Sequence, residues 1–396
     1  MRNIILFDDE SREKMLPLSY TRPVAELRTG IFTIKERWEK LLKGQASFIT
    51  SEYLSEKYPL NLEPDNIVIN GALMPNDRLV RLIEQLEPNE ALMADGDLLA
   101  ARLNVIQFQH LIQNESVDAI IGIELADTPF IHLIYPWDLF LSLRATIEYD
   151  FQIITRGRTS QSIPAFNQVL APDNIFLEEG AQVTGSILNA QSGPIYIGKN
   201  AQVMEGAIIR GPVTIGEGSI IKMGAKIYGP TAIGPNCKIG GEVKEAVLLG
   251  NSNKAHDGFL GNSIIGEWCN LGAGTNVSNL KNNYSNVRMW DHNTKNMRDT
   301  GLQYVGMVMG DHSKSGINTM FNTGTIVGVA ANIFGAGYPP KFIPSFTWGG
   351  AEGLSTHRLD DALHTAHRVV ARRDTVLAPA EENILRHVFE LTEPDR

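Results

Sequence analysis

The chain is poor in cysteine: among 396 residues only Cys237 and Cys269 carry a thiol. Two thiols do not build the disulfide framework of a small secreted domain, and the count fits a reducing compartment. Long apolar runs are also missing. No stretch reaches the roughly 18 apolar residues that a membrane span needs. The apolar start Ile4-Ile5-Leu6-Phe7 is cut off by Asp8-Asp9-Glu10, too soon for the core of a secretory signal. A cytoplasmic chain with no membrane partner is expected. No block of Lys and Arg stands out either. With 35 Lys and Arg against 45 Asp and Glu, the formal net charge is −10. A nucleic-acid partner, which needs a basic face, is not expected. Small phosphorylated ligands need only a few local cations and stay open.

What is present is a folding composition, 43% hydrophobic and 20% charged. The length suggests two domains or more. The strongest signal is an internal repeat. Every sixth residue from Ile197 is a β-branched aliphatic: Ile197, Val203, Ile209, Ile215, Ile221, Ile227, Ile233, Ile239. Four residues further on stands mostly a small side chain, as at Ala201, Ala207, Ser219, Ala225 and Cys237. A short strand and a tight turn take six residues; the aliphatic points into a triangular prism and the small residue fits its corner. Three such units close one coil, which buries its core only by stacking on the next. A helical period of 3.6 cannot give this spacing. A left-handed parallel β-helix over residues 196–337 is therefore expected, within a domain spanning 161–340, in preference to a sandwich of short strands.

The repeat breaks after Ile239 and returns at Ile265, Leu271 and Val277, then at Val327 and Ile333. Residues 281–305 lack it and read as a loop leaving the prism, long enough to lie over a neighbouring subunit; such excursions often carry function. From 341 to 396 a helical extension is expected. Leu359, Leu363, Ala366 and Val370 share one helix face, and a second helix fits 381–391 after Pro379. A cap over the last coil is the plainest role for it.

Residues 1–160 read as an α/β domain with a mostly parallel sheet. Strands at 4–7, 47–49, 67–69 and 91–94 alternate with helices at 31–42 and 78–86. Ligands on such sheets sit beyond the carboxyl ends of the strands. There the sequence puts Asp8-Asp9-Glu10-Ser11-Arg12, Lys14, Arg22-Pro23 and Asp95-Gly96-Asp97. Arginines suit bidentate phosphate contact, and Asp97, with Asp95 beside it, can offer Mg²⁺ a carboxylate. The same residues also read as solvated loop charges around one turn.

The run Asn253-Lys254-Ala255-His256-Asp257-Gly258-Phe259-Leu260-Gly261, followed by Asn270-Leu271-Gly272-Ala273-Gly274-Thr275, resembles the acetyltransferase site of the bifunctional uridylyltransferase–acetyltransferases that make UDP-N-acetylglucosamine. The resemblance covers about 110 residues of the repeat region well and the first domain in outline, where Arg12 and Arg22-Pro23 occupy the places of that family's signature arginine and Pro-Lys. The first domain looks closer still to a divergent, Bacteroidetes-type branch of sugar nucleotidyltransferases. The resemblance implies a nucleotidyltransferase-like first domain, an acetyltransferase prism and a homotrimer with its acyl-transfer sites between neighbouring prisms. It implies His256 and Arg12 as catalytic residues, and Lys244, Asn270, Asn279 and Arg22 as substrate-binding ones. The Ala273 backbone falls where the acetyl-CoA thioester oxygen is stabilised. A histidine base also makes chemical sense, because a protonated sugar amine cannot attack a thioester. The ligands implied are acetyl-CoA, UTP or another nucleoside triphosphate, Mg²⁺ and sugar phosphates.

Departures temper this. The family's tyrosine is Phe259 and a serine near the coenzyme is Ile317. Its Gly-rich phosphate loop is replaced by Asp8-Asp9-Glu10-Ser11, whose acids repel a triphosphate unless Mg²⁺ or arginine compensates. Three readings follow: a bifunctional enzyme, a nucleotidyltransferase whose prism only assembles or regulates, and a non-catalytic scaffold or sensor. The remaining histidines, His110 and His132 among them, read as structural.

Overall fold

The computed structural model describes residues 2–112, 120–125 and 129–396, and the side chain of His110 lies outside that description. Packing divides the chain into two compact units. Met1–Met15, Arg22–Leu27 and Phe32–Ile134 form the first; Leu16–Thr21, Arg28–Ile31 and Tyr135–Arg396 form the second.

Among its described residues the first unit holds a six-stranded sheet with helices. In chain order it runs β1 (Arg2–Phe7), α1 (Ser11–Lys14), α2 (Ile34–Leu42), β2 (Gly44–Ile49), β3 (Asn66–Asn70), β4 (Leu73–Met74), α3 (Asp77–Glu84), β5 (Glu90–Ala94), β6 (Asp97–Leu103), α4 (Val105–Ile112) and β7 (Ile121–Glu124). The sheet order is β2-β1-β3-β6-β5-β7. Ile4, Ile5 and Leu6 are all buried, as a central strand covered on both faces requires. A capping box of Thr33 and Glu36 starts α2. Strand β1 pairs in parallel with β2 and β3, and β5 with β7. Strand β6, absent from the sequence reading, runs antiparallel to both β3 and β5. The cause is local. Asp95 and Gly96 both take left-handed backbone angles (φ 51° and 87°) and close a two-residue hairpin. Asp97 thus opens β6 at the edge where β1 and β3 end, two strands away from β1.

In the second unit the hexad strands stack into three parallel walls. Ile197, Ile215 and Ile233 stand above one another, one eighteen-residue coil apart. Together with Val203, Ile209, Ile221, Ile227 and Ile239 they fill a single buried column. This is the expected left-handed parallel β-helix, and it extends further than the repeat revealed. Coils begin at Gln168–Leu170, and Leu177, Val183 and Leu188 already point into the column. Across the apparent break the ladder also continues through Val243, Leu248, Leu260 and Ile265. The coil there is shortened, so that Ile233 stacks on Leu248, and Lys254 stands directly over Ile239 in an inward position.

Residues 281–305 leave the prism as expected and form a hairpin, Arg288–Asp291 against Asn296–Asp299. It packs on its own chain: Trp290 stacks on Phe342 at 4.5 Å, and His292 meets Tyr20 and Phe342 edge-on. Helices α5 (Asp138–Leu141) and α6 (Leu143–Thr155) also belong to this unit. Thr29 Oγ donates to the Leu139 carbonyl, and the Ile31 amide donates to Asp150 Oδ2 at 2.8 Å. Packing thus joins residues 135–160 to the second unit. Helices α7 (Leu359–Ala371) and α8 (Pro379–Leu391) follow the prism. Phe389 of α8 meets Phe346 edge-on at 5.0 Å.

Candidate active sites

In the first unit the acids after β1 turn inward. Asp8 accepts from the Thr50 hydroxyl at 2.6 Å and from the Val24 amide at 2.9 Å, and burial pushes its carboxyl pKa up. Asp9 accepts from the Ser11 amide at 2.8 Å and from Asn70 Nδ2 at 2.7 Å, while His132 Nε2 lies 3.3 Å away. Burial alone would raise the Asp9 pKa, but His132, Ser11 and Asn70 outweigh it and hold the carboxyl well below the carboxylate range. These two acids therefore fasten the loop. Arg12 is drawn into the same network. Its Nη2 donates to the Tyr53 hydroxyl at 2.7 Å, and its Nε lies 3.5 Å from Asp8 Oδ2. Arg22 is buried. Lys14 pairs with the exposed Glu10 at 3.2 Å. Asp97 is exposed on its hairpin, next to Asp95, whose amide donates to Glu124. A cavity of about 820 Å³ lies at the opposite, amino-terminal edge, lined by Arg2, Asp65 and Glu84 among others.

In the second unit the expected residues fall into two groups. His256 is exposed on the turn after Asn253–Lys254. With Asn270 it lines a cavity of about 410 Å³ that four cations also line: Lys238, Lys314, Arg372 and Arg373. Arg373 Nη2 donates to Asn253 Oδ1 at 3.0 Å. Lys244 and Asn279 belong to another wall. Lys244 Nζ lies 3.4 Å from Glu245 and 5.4 Å from the Tyr304 ring centre. Glu245 accepts from Asn262 Nδ2, and Asn262 Oδ1 accepts from Asn279 Nδ2 at 2.7 Å. Phe259 joins this group through Gly261, where a Cβ would fall 2.6 Å from Phe259 Cζ and 2.8 Å from Asn279 Nδ2. The Ala273 carbonyl accepts from the Asn318 amide; among the described residues its own N–H has no protein acceptor. Ile317 is 75% exposed.

Residues 4–159 match the model of the sugar nucleotidyl transferase family, and residues 194–229 match that of the bacterial transferase hexapeptide (six repeats). The chain has GlmU-like homologues. It is 37% identical over 87 residues to the bifunctional GlmU protein of Methanocaldococcus jannaschii, covering 22% of this chain and 21% of that one. It is 35% identical over 94 residues to a bifunctional sugar-1-phosphate nucleotidylyltransferase/acetyltransferase of Sulfurisphaera tokodaii, covering 24% and 23%. A bifunctional GlmU protein of Methanococcus maripaludis is 38% identical over 169 residues, covering 40% and 39%. The matches thus span between about a fifth and two fifths of these relatives' length.

In the second unit, two features of the site are not legible in the sequence. One is the cation set of the cavity. Arg372-Arg373 is legible as a basic pair at a helix end, but what it faces depends on how α7 docks. The other is Lys254, 2% exposed, whose Nζ donates to the His256 carbonyl at 2.7 Å. Burial pushes its amine pKa down to about 8, against an opposing pull from Asp257.

Proposed function

We propose that this chain is a bifunctional transferase of amino-sugar nucleotide synthesis. The prism moves an acetyl group from acetyl-CoA to glucosamine-1-phosphate; the first unit then couples N-acetylglucosamine-1-phosphate to UTP with release of pyrophosphate. The observation that carries the reading is His256, exposed beside Asn270 at a cavity lined with cations. His256 takes a proton from the sugar ammonium, the freed amine attacks the thioester carbon, and the thiolate of coenzyme A leaves with a proton. The unclaimed Ala273 N–H meets the developing oxyanion. Lys244 and Asn279 face the acceptor sugar from the neighbouring wall.

In the first unit, a phosphate oxygen of the sugar displaces pyrophosphate in line at the α-phosphorus of UTP, with Arg12 and Arg22 spreading the negative charge. Among the described residues no three His, Cys, Asp or Glu gather to cage a metal. The exposed Asp97 fits the other kind of site, in which one carboxylate holds Mg²⁺ and water and phosphates fill the rest. Bound there, the ion would screen triphosphate charge. The proposal includes a homotrimer and a cytoplasmic location; no helix among the described residues is long and apolar enough to cross a membrane.

The test is one assay with Mg²⁺, UTP, glucosamine-1-phosphate and acetyl-CoA, following free thiol and pyrophosphate separately. Both should be released. Pyrophosphate with N-acetylglucosamine-1-phosphate but never thiol would favour a second reading, that of a nucleotidyltransferase whose prism only assembles or regulates. Phe259, which lacks the hydroxyl expected against the sugar phosphate, favours that second reading.

A further inference from the structure

We infer that the cavity beside His256 holds a phosphate-binding subsite built jointly by two prism lysines, Lys238 and Lys314, and the two arginines that end α7, Arg372 and Arg373. The inference deepens the acyltransferase reading of the same site and rests on it only for naming the ligand.

Among the described residues, four cations and no Asp or Glu line this cavity, in a chain whose formal net charge is −10. Such a gathering of one sign is costly unless an anion joins it. Burial, then Arg373, Lys222 and Arg372, push the Lys238 amine down, and burial does the same to Lys314. Among the described residues neither Arg372 nor Arg373 pairs with a carboxylate; Arg373 uses one N–H on Asn253 and keeps the rest of its fork. Cations at a helix C-terminus complement the helix dipole. That accounts for Arg372 and Arg373 but not for the lysines that the prism places opposite them. A volume of about 410 Å³ suits one small phosphorylated ligand.

The chemistry recognised is a phosphate ester or diphosphate whose reactive end reaches His256. Either partner of acyl transfer carries one: coenzyme A on the donor side, the sugar phosphate on the acceptor side. The resemblance gives the sugar phosphate to Lys244, which here is engaged with Glu245 on a different wall.

The experiment is calorimetric titration of the full chain and of Arg372→Gln/Arg373→Gln with coenzyme A and with glucosamine-1-phosphate, alongside free-thiol release. The double variant should lose at least about tenfold in affinity for one ligand, since charged hydrogen bonds of this kind are individually strong. Loss confined to coenzyme A assigns the donor; loss confined to glucosamine-1-phosphate assigns the acceptor. Lys238→Gln should weaken the same ligand, which keeps the test alive if the double variant misfolds. Unchanged affinities for both ligands, with thiol still released, would overturn the subsite and spare the acyltransferase reading. Arginine-dependent binding with no thiol from any variant or wild type would support the subsite and sink that reading.

Discussion

Lys254 donates its buried ammonium to the backbone carbonyl of His256 across 2.7 Å. The proposed catalytic turn is thus held from inside the prism, by a side chain standing in the column that its neighbours fill with aliphatics. Replacing Lys254 with Met keeps the volume and burial but frees the carbonyl. Acetyl-transfer kcat should fall about ten- to a hundredfold with KM little changed, while the Tm at pH 7 holds or rises because a buried charge has gone. A parallel loss of Tm and activity would instead make Lys254 a packing residue.

The same amine gives a pH signature. Its folded pKa of about 8 lies below the ordinary 10.5, so folding disfavours its charged form. That cost is full below pH 8 and fades between pH 8 and 10.5, where the unfolded chain binds more protons. The Tm advantage of Lys254→Met over wild type should therefore shrink as pH rises from 8 to 10. A constant difference would contradict the shift.

His256→Ala should lower acetyl transfer by about 10²- to 10⁴-fold, the usual weight of a general base. Pyrophosphate release from UTP and N-acetylglucosamine-1-phosphate should stay at the wild-type rate. Unchanged thiol release would remove His256 from the mechanism.

Asp9→Ala leaves the Ser11 amide and Asn70 without their acceptor. A loss of about 1–3 kcal/mol is expected in urea denaturation at pH 7. Because the folded Asp9 pKa lies below its ordinary value of 3.8, its contribution is present above that value and fades as pH falls through the folded pKa. Wild type and variant should converge in acid; equal stability at pH 7 would show that the loop is fastened elsewhere.

Asp97→Ala and chelation by EDTA should each suppress pyrophosphate release while sparing thiol release, the two channels being read in one assay. Pyrophosphate formation that survives both would exclude Asp97 as the Mg²⁺ ligand.

The sequence made the prism legible wherever the aliphatics kept strict six-residue spacing, from Ile197 to Ile239. It hid the coils where spacing contracted, between Ile233 and Leu248, and where Lys254 took an inward place that a pattern of apolar residues cannot flag. In the first unit Asp95-Gly96-Asp97 offers the sequence reading both a Mg²⁺ carboxylate and a turn; that the turn is a hairpin leading into β6 follows only from the strand pairing. His256 and Asn270 are nameable because they sit in one recognisable run, and Lys244 and Asn279 because they fall at the resembling family's spacing on either side of it. Their separation onto different walls, and the arrival of Arg372 and Arg373 from over a hundred residues away, depend on stacking and docking that no local pattern records.

One feature of the prism bears on how such chains diverge. The wall passes from Ile265 to Met309 as neighbouring rungs, although a hairpin and its arms lie between them in the chain. The detour leaves and rejoins at nearly one point, where Val305 donates to Asn279 and Leu280 bridges Tyr304. A loop with its ends already clasped adds little closure cost as it lengthens. Its exposed tip can therefore grow or drift at little cost, while Trp290 and His292 keep the hairpin on the Phe342 rung; because Asn279 sits at the clasp, each such change alters the surroundings of the proposed acceptor site while the scaffold stays the same.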